Sequence, residues 1–431
     1  MPKYIIVGNS AGGVAAVEAI RSGDKEGDLA LVSDEQYPAY SRPLISKYLA
    51  GETTEQAMAY RAPDFYEKHA VKAYLGKKAV RLDTEGRKLT LEGGPTLSWE
   101  KLLLATGGTP IIPKMEGLDK DGVYTFTTLD DAKKLEPVLT PGGTVVVIGG
   151  GLIGMSVTEA LAKRGMKVIV VELLDRVLAA LLDVDASRAV ETVLRRKGVE
   201  VLTGQTVQTI LGRADNPKQV AGVVFKDGRE AQCCAVIVAV GVSPRLELVK
   251  GSGIATNRGI VVDRHMATNV PGVYACGDVA EAYDFTTGGN RVIPVWPGAY
   301  LGGRVAGYNM AGGSVEYPGG APMNAFNYFG MAIVCAGLVS PPTGNEYEVL
   351  VSGSAEEGSY KKVVLRDGKV AGMLFFGDIE RSGILFGLMR DGLQLTSLGK
   401  EVLSPRLTLL PDNVRVDKVE KPGWRLVASR P

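Results

Sequence analysis

The sequence predicts an α/β protein with two doubly wound, parallel-sheet units and a smaller C-terminal α+β domain. Three observations carry this. Two strand–glycine-turn–helix units stand near residues 8 and 149, apolar runs repeatedly stop in glycine turns, and the pattern changes after Gly312-Gly313.

The stronger turn is Gly149-Gly150-Gly151-Leu152-Ile153-Gly154, which follows the apolar run 144–148 and opens a helix-patterned segment. Glu172 closes the next apolar run, so strand, turn, helix, strand and acid share one unit of about thirty residues, the setting a dinucleotide fingerprint needs. Gly149 permits the tight turn, Gly151 lets backbone approach a pyrophosphate, and Gly154 lets the helix pack on the strand. The helix start at Leu152 and Ile153 offers free N–H groups and a positive dipole end to phosphates. Glu172 accepts hydrogen bonds from a ribose 2′-OH and repels a 2′-phosphate, which favours NAD over NADP.

The N-terminal turn, Gly8-Asn9-Ser10-Ala11-Gly12-Gly13, repeats the design after the strand at 3–7, with Ser10 in the second glycine position. The strand at 29–32 ends in Ser33-Asp34-Glu35, and Asp34 lies 26 residues after Gly8, suited to a ribose contact. Arg42 and Lys47 follow; they read either as cations for phosphate or reduced flavin, or as surface charges on a solvated helix start. Residues 76–104 alternate in the strand manner, turning at Glu85-Gly86 and Gly93-Gly94-Pro95, and stop at Ala105-Thr106-Gly107-Gly108. Pro110, Pro113 and Gly117 mark a crossing between domains. Strands at 200–202, 220–225 and 235–240 follow, the last ending in Gly241. Gly277 and Asp278 then terminate a short apolar strand, the end at which open α/β sheets bind ligands. Asp278 is placed to hold a sugar-alcohol chain or, alternatively, to cap a helix beginning at Val279. Trp296-Pro297 opens a helix through Met310, with proline at a first helical position.

The resulting partition is 1–115 with 245–320 as one discontinuous dinucleotide domain, 116–244 as the second, and 321–431 as the α+β domain. The last contains strands at 331–336, 361–365 and 370–376, a helix near 381–391 and a polar tail. It either covers the active face or forms an oligomer contact such as a homodimer interface. Residues 361–431 hold 13 Lys and Arg against 8 Asp and Glu, which reads as surface variation ahead of a docking patch.

Composition excludes several classes. A net charge of +1 gives no electrostatic case for nucleic acid or a membrane surface. No signal-peptide layout opens the chain, and no apolar run approaches the roughly 20 residues of a membrane span. The 4 cysteines make no disulfide framework, so the chain reads as cytoplasmic. All four sit in apolar strand contexts, where cysteine is a small inert hydrophobe.

Four ordered motifs, the N-terminal Gly-x-Ser-x-x-Gly, Ala105-Thr106-Gly107, the turn from Gly149 and Ala275-Cys276-Gly277-Asp278, resemble the pyridine-nucleotide:disulfide oxidoreductase superfamily over nearly the whole chain. The segment from Pro38 to Lys47 looks like that of ferredoxin reductases and apoptosis-inducing-factor-like proteins. The resemblance implies a glutathione-reductase-like fold with FAD on the N-terminal motif. Asp34 would stand at the adenosine ribose, with Glu35 beside it among the cofactor-binding residues, Val80 near the adenine and Asp278 at the ribityl–pyrophosphate region. The helix from Trp296-Pro297 would point its N-terminus at the flavin pyrimidine end. Lys47 would lie near flavin N5 as the catalytic residue, and NADH would occupy the second unit with its nicotinamide near Gly241. Two departures stand out: the chain lacks the Cys-x4-Cys pair of the disulfide reductases and has Pro43 where related peroxidases, oxidases and coenzyme A-disulfide reductases carry one cysteine, and Ser156 replaces a glutamate that pairs with the flavin lysine, with Glu159 nearby as a substitute.

The reading is an FAD-dependent NADH:acceptor oxidoreductase that passes electrons to an iron–sulfur or ferredoxin-type protein. The absence of a catalytic thiol fits, as does the scarcity of histidine, since His69 and His265 lie outside every motif. Two alternatives share the motifs: the FAD/NAD subunit of a larger iron–sulfur or metal-containing dehydrogenase complex, and an NAD-responsive flavoprotein sensor.

Overall fold

The computed structural model describes residues 3–395. The N-terminal unit is a parallel five-stranded sheet in the order Val273–Ala275, Lys101–Leu104, Tyr4–Val7, Leu29–Val32, Val71–Tyr74. Tyr4–Val7 and Leu29–Val32 are buried at every position, the unbroken apolar run of strands covered on both faces. Helix Ala11–Gly23 lies against one face and is itself covered by Trp296–Met310. Glycine sets that approach: a Cβ on Gly303 would stand 2.1 Å from the Gly12 carbonyl oxygen, and one on Gly307 2.6 Å from that of Ala16.

A second parallel sheet runs Glu200–Thr203, Lys167–Glu172, Thr144–Ile148, Ala235–Val238, Val123–Tyr124. The two chain crossings between these sheets pair with each other, Gly108–Pro110 running antiparallel to Val242–Pro244. Gly107, at φ 70°, makes the reversal that starts this ribbon.

The C-terminal sheet is wholly antiparallel, in the order Met323–Tyr328, Met331–Gly337, Lys369–Phe376, Ser359–Arg366, Tyr347–Ser354. Helix Ser382–Asp391 packs on it through Leu385, Leu388 and Met389. The three expected strands and the helix are present; the strands Met323–Tyr328 and Tyr347–Ser354 were not read from the sequence. The polar tail, and the part of the basic excess beyond residue 395, lie outside the described residues.

This sheet is tied to the second unit at Asp183. That carboxylate caps helix Val184–Arg196 through the Ala186 N–H (3.1 Å) and accepts the Tyr360 hydroxyl (2.7 Å) and the Lys362 ammonium (2.9 Å).

Candidate functional site

A cavity of about 1100 Å³ is lined by all three units, larger than the roughly 300–1,000 Å³ of ordinary small-molecule sites. Both glycine turns open into it. In the first, Gly8 has φ 125°, and a Cβ there would stand 2.1 Å from the Ala105 carbonyl oxygen. A Cβ on Gly13 would meet the Gly8 carbonyl at 1.9 Å, so this residue seats the helix on the strand. Ser10 occupies the N-cap of Ala11–Gly23 without spending its hydroxyl on a cap bond. Gly12 packs against Cys276, whose Sγ would stand 2.8 Å from an added Cβ.

The second turn repeats the geometry. Gly149 has φ 109° and sits under the Ala239 carbonyl, which a Cβ would approach to 2.4 Å. Gly154 seats the helix Leu152–Lys163, its Cβ position 1.9 Å from the Gly149 carbonyl oxygen; it packs inward and does not line the cavity. Gly151, Leu152 and Ile153 do line it. Apart from its chain neighbours, no atom of the described residues lies within 4 Å of a Cβ on Gly151, so the turn fronts open space where a pyrophosphate could approach.

The acids at the strand ends behave differently. Glu172 accepts the N–H groups of Gly150 (2.6 Å) and Leu174 (2.8 Å), within its own unit. Asp34 pairs with Arg245 at 2.7 Å. Glu35 pairs with Arg42 and accepts the Tyr40 hydroxyl at 2.5 Å, and Arg42 also donates to the Thr127 carbonyl at 2.9 Å. Asp34, Glu35 and Arg42 line the cavity, as do Ala105, Thr106, Gly107, Gly241, Gly277, Trp296 and Pro297.

Asp278 tests whether the space suits a hydroxyl-rich cofactor. Its carboxylate lines the cavity and finds no hydrogen-bond partner among the described residues. Burial pushes its pKa up, against the opposing charge of Arg42. A partly desolvated carboxylate without donors is a receptor for donor groups, and the hydroxyls of a ribityl chain supply them. The helix-cap alternative fails, because the chain after the 3₁₀ turn Gly277–Val279 forms the strand Ala280–Asp284. With Asp278, the two glycine cradles and the N-terminus of Trp296–Met310, the residues present fit FAD and NAD(H).

Two residues expected at the cofactor have side chains elsewhere. Val80 is 47% exposed and does not line the cavity, whereas Ala79 does, because successive strand residues face opposite sides. Lys47 is exposed on helix Ile45–Leu49 and makes no ion pair among the described residues, while Pro43 and Ser46 line the cavity. Glu159 does not take up the role of its partner either. It pairs with Lys163 (3.2 Å) and accepts the Phe329 N–H (2.9 Å).

The C-terminal domain lines the cavity, as one of its two sequence readings had it, but the residues through which it does so were not read from the sequence. The hairpin strand Met323–Tyr328 contributes Asn324, Phe326 and Tyr328 to the cavity. Tyr328, buried, reaches the helix behind the second turn, with its hydroxyl 3.0 Å from the Leu152 carbonyl and 3.1 Å from Ser156 Oγ. At this contact the one departure visible in the sequence is Ser156, a small polar residue where the resemblance implies a glutamate. The four cysteines are all free thiols. Cys276, the one at the cavity, is fully buried, and burial pushes its thiol up to about 12, which keeps it protonated and inert.

Residues 2–303 match the model of the family described as pyridine nucleotide-disulphide oxidoreductase, and residues 322–393 match the rubredoxin NAD+ reductase C-terminal domain. The chain is 32% identical over 400 residues to the NADH-dependent phenylglyoxylate dehydrogenase subunit epsilon of Aromatoleum evansii, covering 92% of this chain and 93% of that one. It is 32% identical over 354 residues to the ferredoxin–NAD(+) reductase component of the biphenyl dioxygenase system of Paraburkholderia xenovorans, covering 82% and 84%. The solved covalent putidaredoxin reductase–putidaredoxin complex superposes with a TM-score of 0.83 at 26% identity, over 91% of this chain and 93% of that one. Two Bacillus subtilis relatives, an assimilatory nitrate reductase electron transfer subunit and a nitrite reductase, are longer, and the chain spans 51% and 49% of them. Among the described residues no helix is long and apolar enough to cross a membrane. Fold, paired glycine cradles and matched relatives agree: this chain belongs to the pyridine nucleotide-disulphide oxidoreductase family, as an oxidoreductase that uses FAD and NAD(H).

Proposed function

We propose that the chain exchanges electrons between NAD(H) and an iron–sulfur protein of ferredoxin or rubredoxin type, in the cytoplasm, without a thiol intermediate. The observation that carries this is the single cavity reached by both glycine turns, in which Pro43 stands at the wall and the nearest thiol, Cys276, is buried and protonated. Bound FAD supplies hydride exchange with the nicotinamide and one-electron exchange with a metal centre. The protein's part is placement and charge. Asp278 holds sugar hydroxyls, the N-terminus of Trp296–Met310 favours negative charge in front of it, and Glu172 selects the unphosphorylated ribose.

A second form of this reading places the chain as the flavin subunit of a larger dehydrogenase. Its support is the nearly full-length match to a dehydrogenase subunit, 92% of this chain against 93% of the relative. An anaerobic NADH titration of the flavin-loaded protein, followed by ferredoxin, separates the forms. Fast bleaching of the flavin absorbance by one equivalent of NADH and rapid reoxidation by ferredoxin is the result expected of a free reductase. Slow bleaching with co-purifying iron–sulfur subunits is the result expected of a complex. Absence of any bleaching or reoxidation with either partner overturns the electron-transfer reading.

A further inference from the structure

The hydrogen bonds joining Ser156, Tyr328 and Leu152 have only one consistent direction. A carbonyl oxygen cannot donate, so the 3.0 Å contact between the Tyr328 hydroxyl and the Leu152 carbonyl uses the only proton Tyr328 has. The 3.1 Å contact between Tyr328 and Ser156 then requires the serine hydroxyl to donate. Tyr328 stays neutral, since burial pushes its pKa up to about 12. Ser156 lines the cavity with its proton turned away into this chain, and therefore presents the cavity with lone pairs alone.

Position says what those lone pairs meet. Glu172 stands at the ribose end of the second unit, and Leu152 and Ile153 mark the helix N-terminus where a pyrophosphate sits. Ser156 is one turn further along the same helix, which packs against helix Ile45–Leu49 of the first unit and strand Met323–Tyr328 of the C-terminal domain. Ser46 and Asn324 from those segments line the same cavity, as does Pro43. Two dinucleotides that exchange a hydride bring their reactive rings together where the units meet. A nicotinamide there carries a carboxamide, whose NH₂ group is a pure donor.

We propose that Ser156 Oγ accepts a hydrogen bond from the nicotinamide carboxamide NH₂, and that Tyr328 is the positioning residue that keeps Ser156 in its acceptor state. A neutral, hydroxyl-only contact thus reads the nicotinamide, with the C-terminal domain supplying the group that orients it. The proposal rests on the assignment of NAD(H) to this cavity.

The test is calorimetric and needs no turnover. Dissociation constants of the flavin-loaded protein are measured for NAD+ and for 3-acetylpyridine adenine dinucleotide, which replaces the NH₂ by a methyl group and keeps the carbonyl. The wild-type protein is expected to prefer NAD+ by about tenfold, the scale of one hydrogen bond to a site left unpaired in the analogue. Ser156→Ala is expected to remove that preference by weakening NAD+ alone. Tyr328→Phe, which frees the serine proton to rotate, is expected to reduce the preference several-fold with Ser156 intact, and Ser156→Thr to restore it. Equal binding of both nucleotides by the wild-type protein, or a preference that survives Ser156→Ala, overturns the Ser156 contact while leaving the NAD assignment standing. Failure of the wild-type protein to bind either nucleotide overturns both. A preference unchanged in Tyr328→Phe overturns the positioning role.

Discussion

The two dinucleotide turns are near copies in geometry and opposites in their surroundings. Gly13 and Gly154 each leave 1.9 Å between a would-be Cβ and the carbonyl of the turn's first glycine. Both helix starts line the cavity, yet helix Ala11–Gly23 is buried from Ala11 through Val17 and roofed by Trp296–Met310, while helix Leu152–Lys163 leaves Leu152, Ile153 and Ser156 only partly buried. The acids differ in the same sense. Asp34 and Glu35 are paired with the arginines Arg245 and Arg42 of their own unit, and Arg42 also reaches the Thr127 carbonyl of the other. Among the described residues, Glu172 is held by N–H groups of its own unit alone. A site walled in by a second helix and by ion-paired acids suits a cofactor that stays; a site with a more open helix face suits a coenzyme that comes and goes. The shared turn supplies phosphate binding, and the packing around it sets residence.

The sharpest way to break this contrast is to install the same clash in both halves. Gly13→Ala and Gly154→Ala each force a methyl group against a backbone carbonyl, at a cost on the order of 4 kcal/mol. The first is expected to give poorly folded protein without flavin. The second is expected to give yellow protein that no longer binds NAD+, because the first unit has its own sheet and roof. Flavin absorbance of the purified variants decides it, and loss of flavin from Gly154→Ala would show that the halves are not independent.

Asp183 measures how firmly the second unit holds the C-terminal wall. Burial pushes its carboxyl up, but Lys362, Tyr360 and the Ala186 N–H outweigh that and hold it below the usual range. Asp183→Asn leaves the Lys362 ammonium, 12% exposed, without its partner, an expected loss of about 2–4 kcal/mol at pH 7. A depressed folded-state pKa gives stability that is present above the unfolded value of about 3.9 and is lost as pH falls through the lower folded value. The gap between wild type and variant in urea melts is therefore expected to be full at pH 7 and to shrink below about pH 4. A gap that does not change with pH would mean that the variant acts through the cap alone.

These contrasts also mark what the sequence could disclose. Glycine turns are legible because a carbonyl about 2 Å from Cβ admits no other residue, and that constraint is local. The strands at 144–148 and 331–336 are legible because burial on both faces leaves an unbroken apolar run. Tyr347–Ser354 escaped because it is a sheet edge with Val349 and Val351 turned to solvent, so its apolar pattern points away from the core. Lys47 and Val80 show a different limit: the motif gives a residue's place along the chain, whereas the direction of its side chain depends on which face of a short helix or strand is covered. Tyr328 was invisible for a third reason. Its partners are 172 and 176 residues away in sequence, at Ser156 and Leu152, and nothing local to either end announces the contact.

Glu172 sharpens the contrast from the coenzyme side. Glu172→Ala removes one charge-assisted acceptor from the ribose, and an expected weakening of NADH of about tenfold follows, with NADPH used relatively better. Flavin content is expected to stay at the wild-type level, since Glu172 bonds only within its own unit. Steady-state KM values for the two coenzymes are the check, and an unchanged preference would remove the NAD assignment from this residue.

The smallest effect belongs to Arg245, and it tests whether residence comes from one contact or from many. Its pair with Asp34 has side chains 33% and 42% exposed, and such pairs contribute roughly 0–1 kcal/mol to stability. Arg245→Ala is therefore expected to melt within about 1 kcal/mol of wild type. Because Arg245 also lines the cavity, its removal opens one side of the flavin wall, and flavin is expected to dissociate a few-fold faster in a dilution assay. Complete loss of flavin would locate the clamp in this single exposed pair. A small change is what distributed enclosure requires, because the helix roof, Arg42 and Asp278 all remain in place when Arg245 is gone.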